Sequence, residues 1–212
     1  RCREIRVEPH FADFVEVRET ENSVSFQTDL TDYEVDRLGL AGRHQIGNAK
    51  VAILVAEELT RRFPMIRSDI ILGLENARHA GRLEYHGRYL FDGAHNIGGA
   101  MALAAYLADD ESGRSITMIF GSMRDKQVAE VAGILFPLAD NIILTRVDSP
   151  RSFTADELCN ATSVDNASLA DSVEDAFRQA DAIGDRDSLI VITGSLYLVG
   201  EAKRLLAERS EI

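Results

Sequence analysis

The stretch Leu90-Phe91-Asp92-Gly93-Ala94-His95-Asn96-Ile97-Gly98-Gly99, followed by an apolar run over residues 100–107, decides the fold of this chain. Residues 89–91 read as the end of a buried strand, and apolar side chains recur at helical spacing through 100–107, so the segment is a strand, a polar turn and a helix. The turn carries a carboxylate, an imidazole and an amide where open α/β sheets place their ligands. Its glycines permit close backbone approach at a helix N-terminus, which favours anionic groups. We therefore expect a ligand site at this turn.

Strands and helices alternate through the rest of the chain. The sequence predicts further strands at 116–120, 141–145 and 188–193, and further helices at 127–136, 154–160, 172–182 and 196–209. Such alternation predicts an α/β fold with a Rossmann-like, mostly parallel sheet and helices on both faces. Parallel strands bring their carboxyl ends to one edge, so we expect the polar turns at 92–96, 121–126, 146–152 and 193–195 to converge there.

The first 66 residues have a different character. Short runs around 5–8, 14–17 and 24–27 read as β-strands, and an apolar helix over 49–59 ends before Pro64. So few short strands bury little by themselves, and they resemble the tail of a larger domain. Because the first residue is not methionine, we expect a processed chain or, more simply, a fragment of a larger protein.

Composition excludes several classes of function. The chain has 212 residues, 45% of them hydrophobic, and a formal net charge of −12, which argues against binding nucleic acid through its phosphates. Cys2 and Cys159 lie far apart and suggest neither a disulfide framework nor a zinc site, which fits a reducing cytoplasm. No apolar run approaches the roughly 20 residues that span a bilayer, and the start lacks a signal peptide. We expect a cytoplasmic protein without a membrane partner.

Six short pieces of the sequence together resemble the C-terminal part of folylpolyglutamate synthase / dihydrofolate synthase, a branch of the Mur ligase superfamily. Each piece is weak by itself, but all six occur in the order found in that family and cover nearly the whole chain. They are Gly42-Arg43-His44-Gln45-Ile46-Gly47-Asn48-Ala49, Gly81-Arg82-Leu83-Glu84, Asp92-Gly93-Ala94-His95-Asn96, Phe120-Gly121-Ser122-Met123-Arg124-Asp125-Lys126, Ser149-Pro150-Arg151-Ser152 and Thr193-Gly194-Ser195-Leu196-Tyr197.

The resemblance implies a domain organisation and a reaction. Residues 1–66 would be the end of a central ATPase domain with its last helix, 67–81 an interdomain linker, and 82–212 a C-terminal glutamate-binding domain of the Mur ligase type. ATP would phosphorylate a folate or pteroate carboxylate, and the amine of glutamate would attack the acyl phosphate. The sequence contains no GxxxxGK[ST] phosphate loop, so the chain alone is expected to be inactive.

The same resemblance implies roles for individual residues. Asn48 would contact the adenine, Arg82 the phosphates and Asp92 the ribose hydroxyls. His95 and Ser195 would bind glutamate, with His95 the catalytic position that orients the substrate. ATP and Mg²⁺ would be the cofactors, the metal being held mainly outside this chain. The expected partners are the small molecules folate or dihydropteroate, L-glutamate and ATP, and we expect a monomer.

Without the resemblance, simpler structural roles compete for these residues. Asp92 and Ser195 suit helix capping, and Asn48 a cap or turn. His95 alone would more often be a hydrogen-bonded structural histidine, and Arg82 a surface charge. Two alternative functions also stay open: a Mur-type ligase of peptidoglycan precursors, and a non-catalytic module that binds nucleotide or amino acid. The residues do not decide between the first glutamate addition, polyglutamate extension, or both.

Overall fold

A computed structural model describes residues 10–183 and 187–210 of the chain. The strand that the sequence predicts around residues 5–8, and Cys2, lie outside the described residues. The chain forms two compact units, which are separated in the sequence between His79 and Ala80. None of the helices in the described part is long and apolar enough to cross a membrane.

The first unit contains a three-stranded antiparallel sheet and two helices. Its elements are β1 (Glu16–Glu19), β2 (Val24–Gln27), β3 (Asp32–Val35), α1 (His44–Leu59) and α2 (Arg67–Asn76), with β2 in the middle of the sheet. One apolar cluster joins the sheet to both helices, and it includes Phe26, Ile53 and Ile70. Burial of Ile70 explains why residues 67–76, which the sequence analysis assigned to a linker, form a helix within this unit.

A buried carboxylate also connects the helix to the sheet of the first unit. Glu57 of α1 accepts hydrogen bonds from the hydroxyl groups of Thr28 (2.6 Å) and Tyr33 (3.1 Å). Burial and the neighbouring Glu57 carboxylate raise the pKa of Tyr33 to about 12. The tyrosine therefore stays protonated and keeps donating to Glu57 over the physiological pH range.

The second unit is built on a six-stranded sheet in the order β4-β5-β9-β6-β7-β8. The strands are β4 (Glu84–His86), β5 (Tyr89–Phe91), β6 (Ile116–Phe120), β7 (Asn141–Thr145), β8 (Ala167–Ala170) and β9 (Leu189–Thr193). The helices are α3 (Ile97–Asp110), α4 (Val128–Leu135), α5 (Ala155–Thr162), α6 (Val173–Ile183) and α7 (Leu196–Ser210). All neighbouring strands are parallel except β4, which runs antiparallel to β5.

Apolar side chains cover both faces of this sheet. One cluster contains Met118 and Phe120 of β6 together with residues of α3, α4 and α5. The other contains Ile119 of β6 together with residues of α6 and α7. Every residue of β6 and β9 is buried, as expected for strands between two helical layers. The predicted α/β class, with a mostly parallel sheet and helices on both faces, is confirmed.

Candidate functional site

Five parallel strands end at the same edge of the second unit's sheet. Four of them are next to one another, in the spatial order β5, β9, β6 and β7. The turns that follow these four strands hold the polar pieces singled out in the sequence, at residues 92–96, 193–195, 121–126 and 146–152, where Thr193 is the last residue of β9. The convergence expected from the sequence is therefore present in the fold.

Glycines directly after these strands let the turns pack closely. Gly194 has φ of +101°, and a β-carbon there would lie 2.6 Å from the carbonyl oxygen of Gly121. A β-carbon on Gly121 would lie 2.9 Å from the carbonyl oxygen of Thr145, and one on Gly93 would lie 2.7 Å from Cγ of Leu196. At residues 194 and 121 the added β-carbon would meet backbone oxygen atoms, so these two positions require glycine.

Asp92 begins the turn after β5 and is only 5% exposed. Its Oδ1 accepts a hydrogen bond from the Ala94 N–H (2.9 Å), and its Oδ2 accepts one from the Leu83 N–H (3.0 Å). Its own N–H donates to the carbonyl of Ile192 in β9 (3.0 Å). The carboxylate thus connects the turn after β5 to the segment that precedes β4.

Arg82 lies in that preceding segment and is partly buried. Its neighbours Gly81 and Leu83 both have positive φ, +69° and +44°. The Gly93 N–H donates to the Gly81 carbonyl (2.8 Å), so residues 81–83 lie against the turn after β5. The structure therefore brings Arg82 and Asp92 into one small region.

Glu84, the first residue of β4, connects residues 81–83 to helix α7. Its carboxylate accepts from Nζ of Lys203 in α7 (2.6 and 2.8 Å) and from the Gly81 N–H (2.9 Å). Burial alone would raise the pKa of Glu84, but the hydrogen bonds from Lys203 and Gly81 outweigh it and lower that pKa below its ordinary value. The sequence analysis did not identify this pair, since 119 residues separate its members.

His95 is partly buried, and its ring orientation is fixed by the backbone. Nδ1 lies 2.8 Å from the carbonyl oxygen of Gly93. Because a carbonyl can only accept, the proton is on Nδ1, and in the neutral ring Nε2 is then an acceptor. Asn96 caps α3 by accepting from the Gly99 N–H (2.8 Å). The turn therefore holds an imidazole acceptor beside a capped helix N-terminus.

Ser195 lies at the start of α7 and is 3% exposed. Its Oγ accepts from the Tyr197 N–H (3.1 Å), the contact expected of a residue that caps a helix. The capping role weighed in the sequence analysis is therefore present, and the hydroxyl keeps its own proton as a donor. Next to it, Tyr197 is exposed and its ring lies 6.0 Å from the guanidinium carbon of Arg151.

The basic turn after β6 is largely neutralised within the protein. Arg124 forms an ion pair with Glu157 (2.5 Å), and Lys126 one with Asp125 (3.3 Å). Hydrogen bonds from Arg124 and from the Thr154 N–H lower the pKa of Glu157 to about 2. Among residues 10–183 and 187–210, no group of three His, Cys, Asp or Glu side chains is placed to hold a metal ion.

Asn48 belongs to the first unit, where it is exposed on α1. Its Nδ2 donates to Oε1 of Gln45 (2.8 Å). Both residues line a cavity of about 350 Å³ between α1 and α2, whose other walls are mostly aliphatic. A mostly apolar cavity with a few amide groups is a common setting for a small aromatic ligand.

Comparison with known proteins identifies relatives of the chain. Residues 81–196 match the family described as Mur ligase, glutamate ligase domain. A Bacillus subtilis protein named dihydrofolate synthase/folylpolyglutamate synthase is 32% identical over 187 residues, which cover 86% of this chain and 44% of the relative. Among solved structures, Mycobacterium tuberculosis folylpolyglutamate synthase complexed with ADP has a TM-score of 0.78 at 28% identity, covering 90% of this chain and 46% of that one.

A second solved structure is similar in fold alone. E. coli FolC in complex with DHPP and ADP has a TM-score of 0.80 at 20% identity, over 92% of this chain and 46% of that one. The chain spans less than half the length of each of these three proteins.

Proposed function

Because the chain belongs to the Mur ligase family through its glutamate ligase domain, we propose that it is part of an ATP-dependent ligase that adds L-glutamate to a folate or dihydropteroate carboxylate. The main observation behind this proposal is that His95 and Ser195 lie in turns that follow two neighbouring strands, β5 and β9, at the same edge of the sheet. The Bacillus subtilis relative, named for both folate activities, supports the same substrate class.

The reaction we propose has two chemical steps. A carboxylate oxygen of the folate or pteroate attacks the γ-phosphorus of ATP, which gives an acyl phosphate and ADP. The amine of glutamate then attacks the acyl carbon, loses a proton and displaces phosphate, which leaves an amide. Binding and orientation make the largest demand on the protein in such a transfer.

We assign the binding of the substrate L-glutamate to His95 and Ser195. The Nε2 acceptor of His95 suits the ammonium or amine group of glutamate, because Nδ1 is already committed to the Gly93 carbonyl. The helix N-termini that follow both residues favour a carboxylate. His95 thereby acts as the catalytic position that orients the amine.

Contacts to the nucleotide are assigned to Asn48 in the first unit and, separately, to Arg82 and Asp92 in the second unit. The amide oxygen of Asn48, beside the apolar cavity, suits the exocyclic amine of adenine. The guanidinium of Arg82 suits phosphate, because its donors form a planar fork. The ribose contact expected of Asp92 stays a prediction. Mg²⁺, which would neutralise phosphate charge, is expected to be bound mainly outside this chain, and residues 1–212 alone are expected to be inactive.

The test is ADP release by the longest natural polypeptide that contains this chain. It is assayed with Mg²⁺, ATP and L-glutamate, and with dihydropteroate, a tetrahydrofolate or a muramyl precursor in turn. We expect activity that needs both glutamate and a pterin and falls at least 100-fold in His95→Ala. His10→Ala is the matched control, since His10 is an exposed residue of the first unit paired with Glu58.

The outcomes separate the candidate functions. Activity with the muramyl precursor and without a pterin would assign the protein to peptidoglycan synthesis. Nucleotide binding without ADP release under any condition would indicate a non-catalytic binding module. Full activity in His95→Ala would refute the role proposed for the histidine while leaving the substrate class intact.

A further inference from the structure

Arg151 is an exposed cation in the turn after β7, at the carboxyl edge of the second unit's sheet. The basic side chains of the turn after β6 are already paired, Arg124 with Glu157 and Lys126 with Asp125. Arg151 forms no ion pair with any carboxylate in the part of the chain that the structure describes. It helps to lower the pKa of Asp125, but the hydrogen bond from Lys126 is the largest cause of that shift. The Arg151 guanidinium is therefore available to an anionic ligand.

Hydrogen bonds on both sides hold the backbone of Arg151. Its carbonyl oxygen accepts from the Arg124 N–H in the turn after β6 (2.9 Å), and its N–H donates to Oγ of Ser149 (3.3 Å). Two residues further on, the Phe153 N–H donates to the carbonyl oxygen of Ser122 (3.1 Å), again in the turn after β6. The side chain of Arg151 thus begins from a backbone that two neighbouring turns hold in place.

The side chain of Arg151 lies against the first turn of α7. Its Nη2 is 3.5 Å from the hydroxyl oxygen of Tyr197, and its guanidinium carbon is 6.0 Å from the centre of the tyrosine ring. The turn after β7 also contacts α7 further along, where the Asp148 N–H donates to Glu201 (3.1 Å). The Tyr197 N–H donates to Oγ of Ser195 (3.1 Å). The Arg151 cation is therefore attached to the same turn as Ser195, to which glutamate binding is assigned.

We propose that Arg151 is a specificity-determining residue that binds a carboxylate of a glutamyl group, with the Tyr197 hydroxyl as a second donor. The inference rests on the proposed function, because it takes glutamate and glutamylated folates as the ligands. A guanidinium fork suits the two oxygens of a carboxylate, and contact with the tyrosine ring reduces the freedom that the side chain loses on binding. The phenol oxygen accepts from Nη2 and keeps its own proton for the same ligand. The carboxylate belongs either to the incoming L-glutamate or to the glutamyl chain that the folate already carries.

The first experiment measures ADP release by the longest natural polypeptide that contains this chain and by its Arg151→Gln variant. The acceptors are dihydropteroate, a tetrahydrofolate monoglutamate and a tetrahydrofolate triglutamate. We expect one KM to rise about tenfold, the scale of one hydrogen bond to a charged group, while kcat and the KM for ATP stay within about twofold. A higher KM for L-glutamate with every acceptor identifies the incoming amino acid as the source of the carboxylate. A higher KM for the glutamylated folates alone identifies the chain of the acceptor. Unchanged KM values, or a rise for ATP alone, would overturn the proposal.

Three further variants separate a specific contact from a general effect of charge. Arg151→Lys keeps the charge without the fork and should restore only part of the affinity lost in Arg151→Gln. Tyr197→Phe keeps the ring without the hydroxyl, so the same KM should rise roughly threefold, and by less than about twofold in the Arg151→Gln background. Arg204→Gln is the matched control, because Arg204 is an exposed arginine of α7 that pairs with Glu208 (2.8 Å). An effect of Arg204→Gln as large as that of Arg151→Gln would overturn the proposal.

Calorimetric titration tests the same contact without turnover. L-Glutamate and the tetrahydrofolate triglutamate are titrated into the unsubstituted protein and into Arg151→Gln, with Mg²⁺ and a non-hydrolysable ATP analogue present. At least one of the two ligands should bind about tenfold more weakly to the variant. Equal affinities, or no binding of either ligand to the unsubstituted protein, would overturn the inference. Absence of glutamate-dependent ADP release in the unsubstituted protein would instead refute the proposed function, and the titration would still decide the role of Arg151.

Discussion

Gly194→Ala is the substitution that most directly tests the packing of the strand ends. Residue 194 has φ of +101°, and an added β-carbon would lie 2.6 Å from the Gly121 carbonyl oxygen and 2.7 Å from the Phe120 ring. The backbone conformation costs an L-residue about 1–2 kcal/mol, and forcing a methyl group into a filled site costs about 1–3 kcal/mol. Reduced freedom of the unfolded chain returns about 0.4–1 kcal/mol. We expect the free energy of unfolding to fall by about 1–5 kcal/mol, by these terms together.

The assay is urea unfolding followed by far-UV circular dichroism, since the chain has no tryptophan. Gly200→Ala is the matched control: it lies in α7, and nothing lies within 4 Å of the added β-carbon. There the same methyl group should raise stability by about 0.5–1 kcal/mol, because alanine suits a helix better than glycine. Both glycines belong to the second unit, so any transition of the first unit is common to all three proteins. A loss below 1 kcal/mol in Gly194→Ala, or equal shifts in both variants, would refute the packing argument.

Three further substitutions test single contacts in the second unit. The pKa of Glu84 is lower in the folded protein than its ordinary value of 4.5. Its ion pair with Lys203 therefore contributes fully to stability at pH values above 4.5, and this stabilisation is lost as the pH falls through the pKa of Glu84 in the folded protein. Glu84→Gln should therefore lower the melting temperature at pH 7. The difference from the unsubstituted protein should shrink as the pH falls below 4.5 and through the lower folded pKa of Glu84. A difference independent of pH would contradict this. Asn96→Ala removes the cap on Gly99 and should cost about 1 kcal/mol in urea unfolding, with a smaller loss after Asn96→Ser. Leu103→Ala, at a core position that is 1% exposed, should cost about 2–5 kcal/mol, and a loss below 1 kcal/mol would exclude close packing of α3 on the sheet.

The central strands were predictable from sequence because burial on both faces demands a continuous apolar run. Strands β6 and β9 satisfy that condition, and both lie where the sequence predicts them. Strands β4 and β8 lie at the two edges of the sheet and were not predicted. Edge strands need little apolar surface: β8 reads Ala-Ser-Leu-Ala, and only its last residue is buried. A pattern based on hydrophobic runs cannot detect such strands.

Of the candidate site, the positions of the polar turns were predictable from the sequence, but the contacts between them were not. The turns that hold His95 and Ser195 were located because each combines polar groups with glycine directly after an apolar strand. The relation between Arg82 and Asp92 was not, because it depends on the positive φ of Leu83, a residue type that gives no local sign of that conformation. The resemblance assigned ligand roles to both residues separately, and only the fold shows that Asp92 accepts a hydrogen bond from the N–H of Leu83, the residue after Arg82.

Hydrogen bonds from the backbone explain how the turn after β5 accommodates the nearly covered Asp92 carboxylate. The chain carries a formal net charge of −12, and the ligands of the proposed function, ATP and glutamate, are both anionic, so an uncompensated carboxylate in the turn after β5 would oppose the proposed binding. Two backbone N–H groups donate to Asp92, at 2.9 and 3.0 Å, and the side chain is nearly covered, so its charge is compensated by fixed dipoles within the turn.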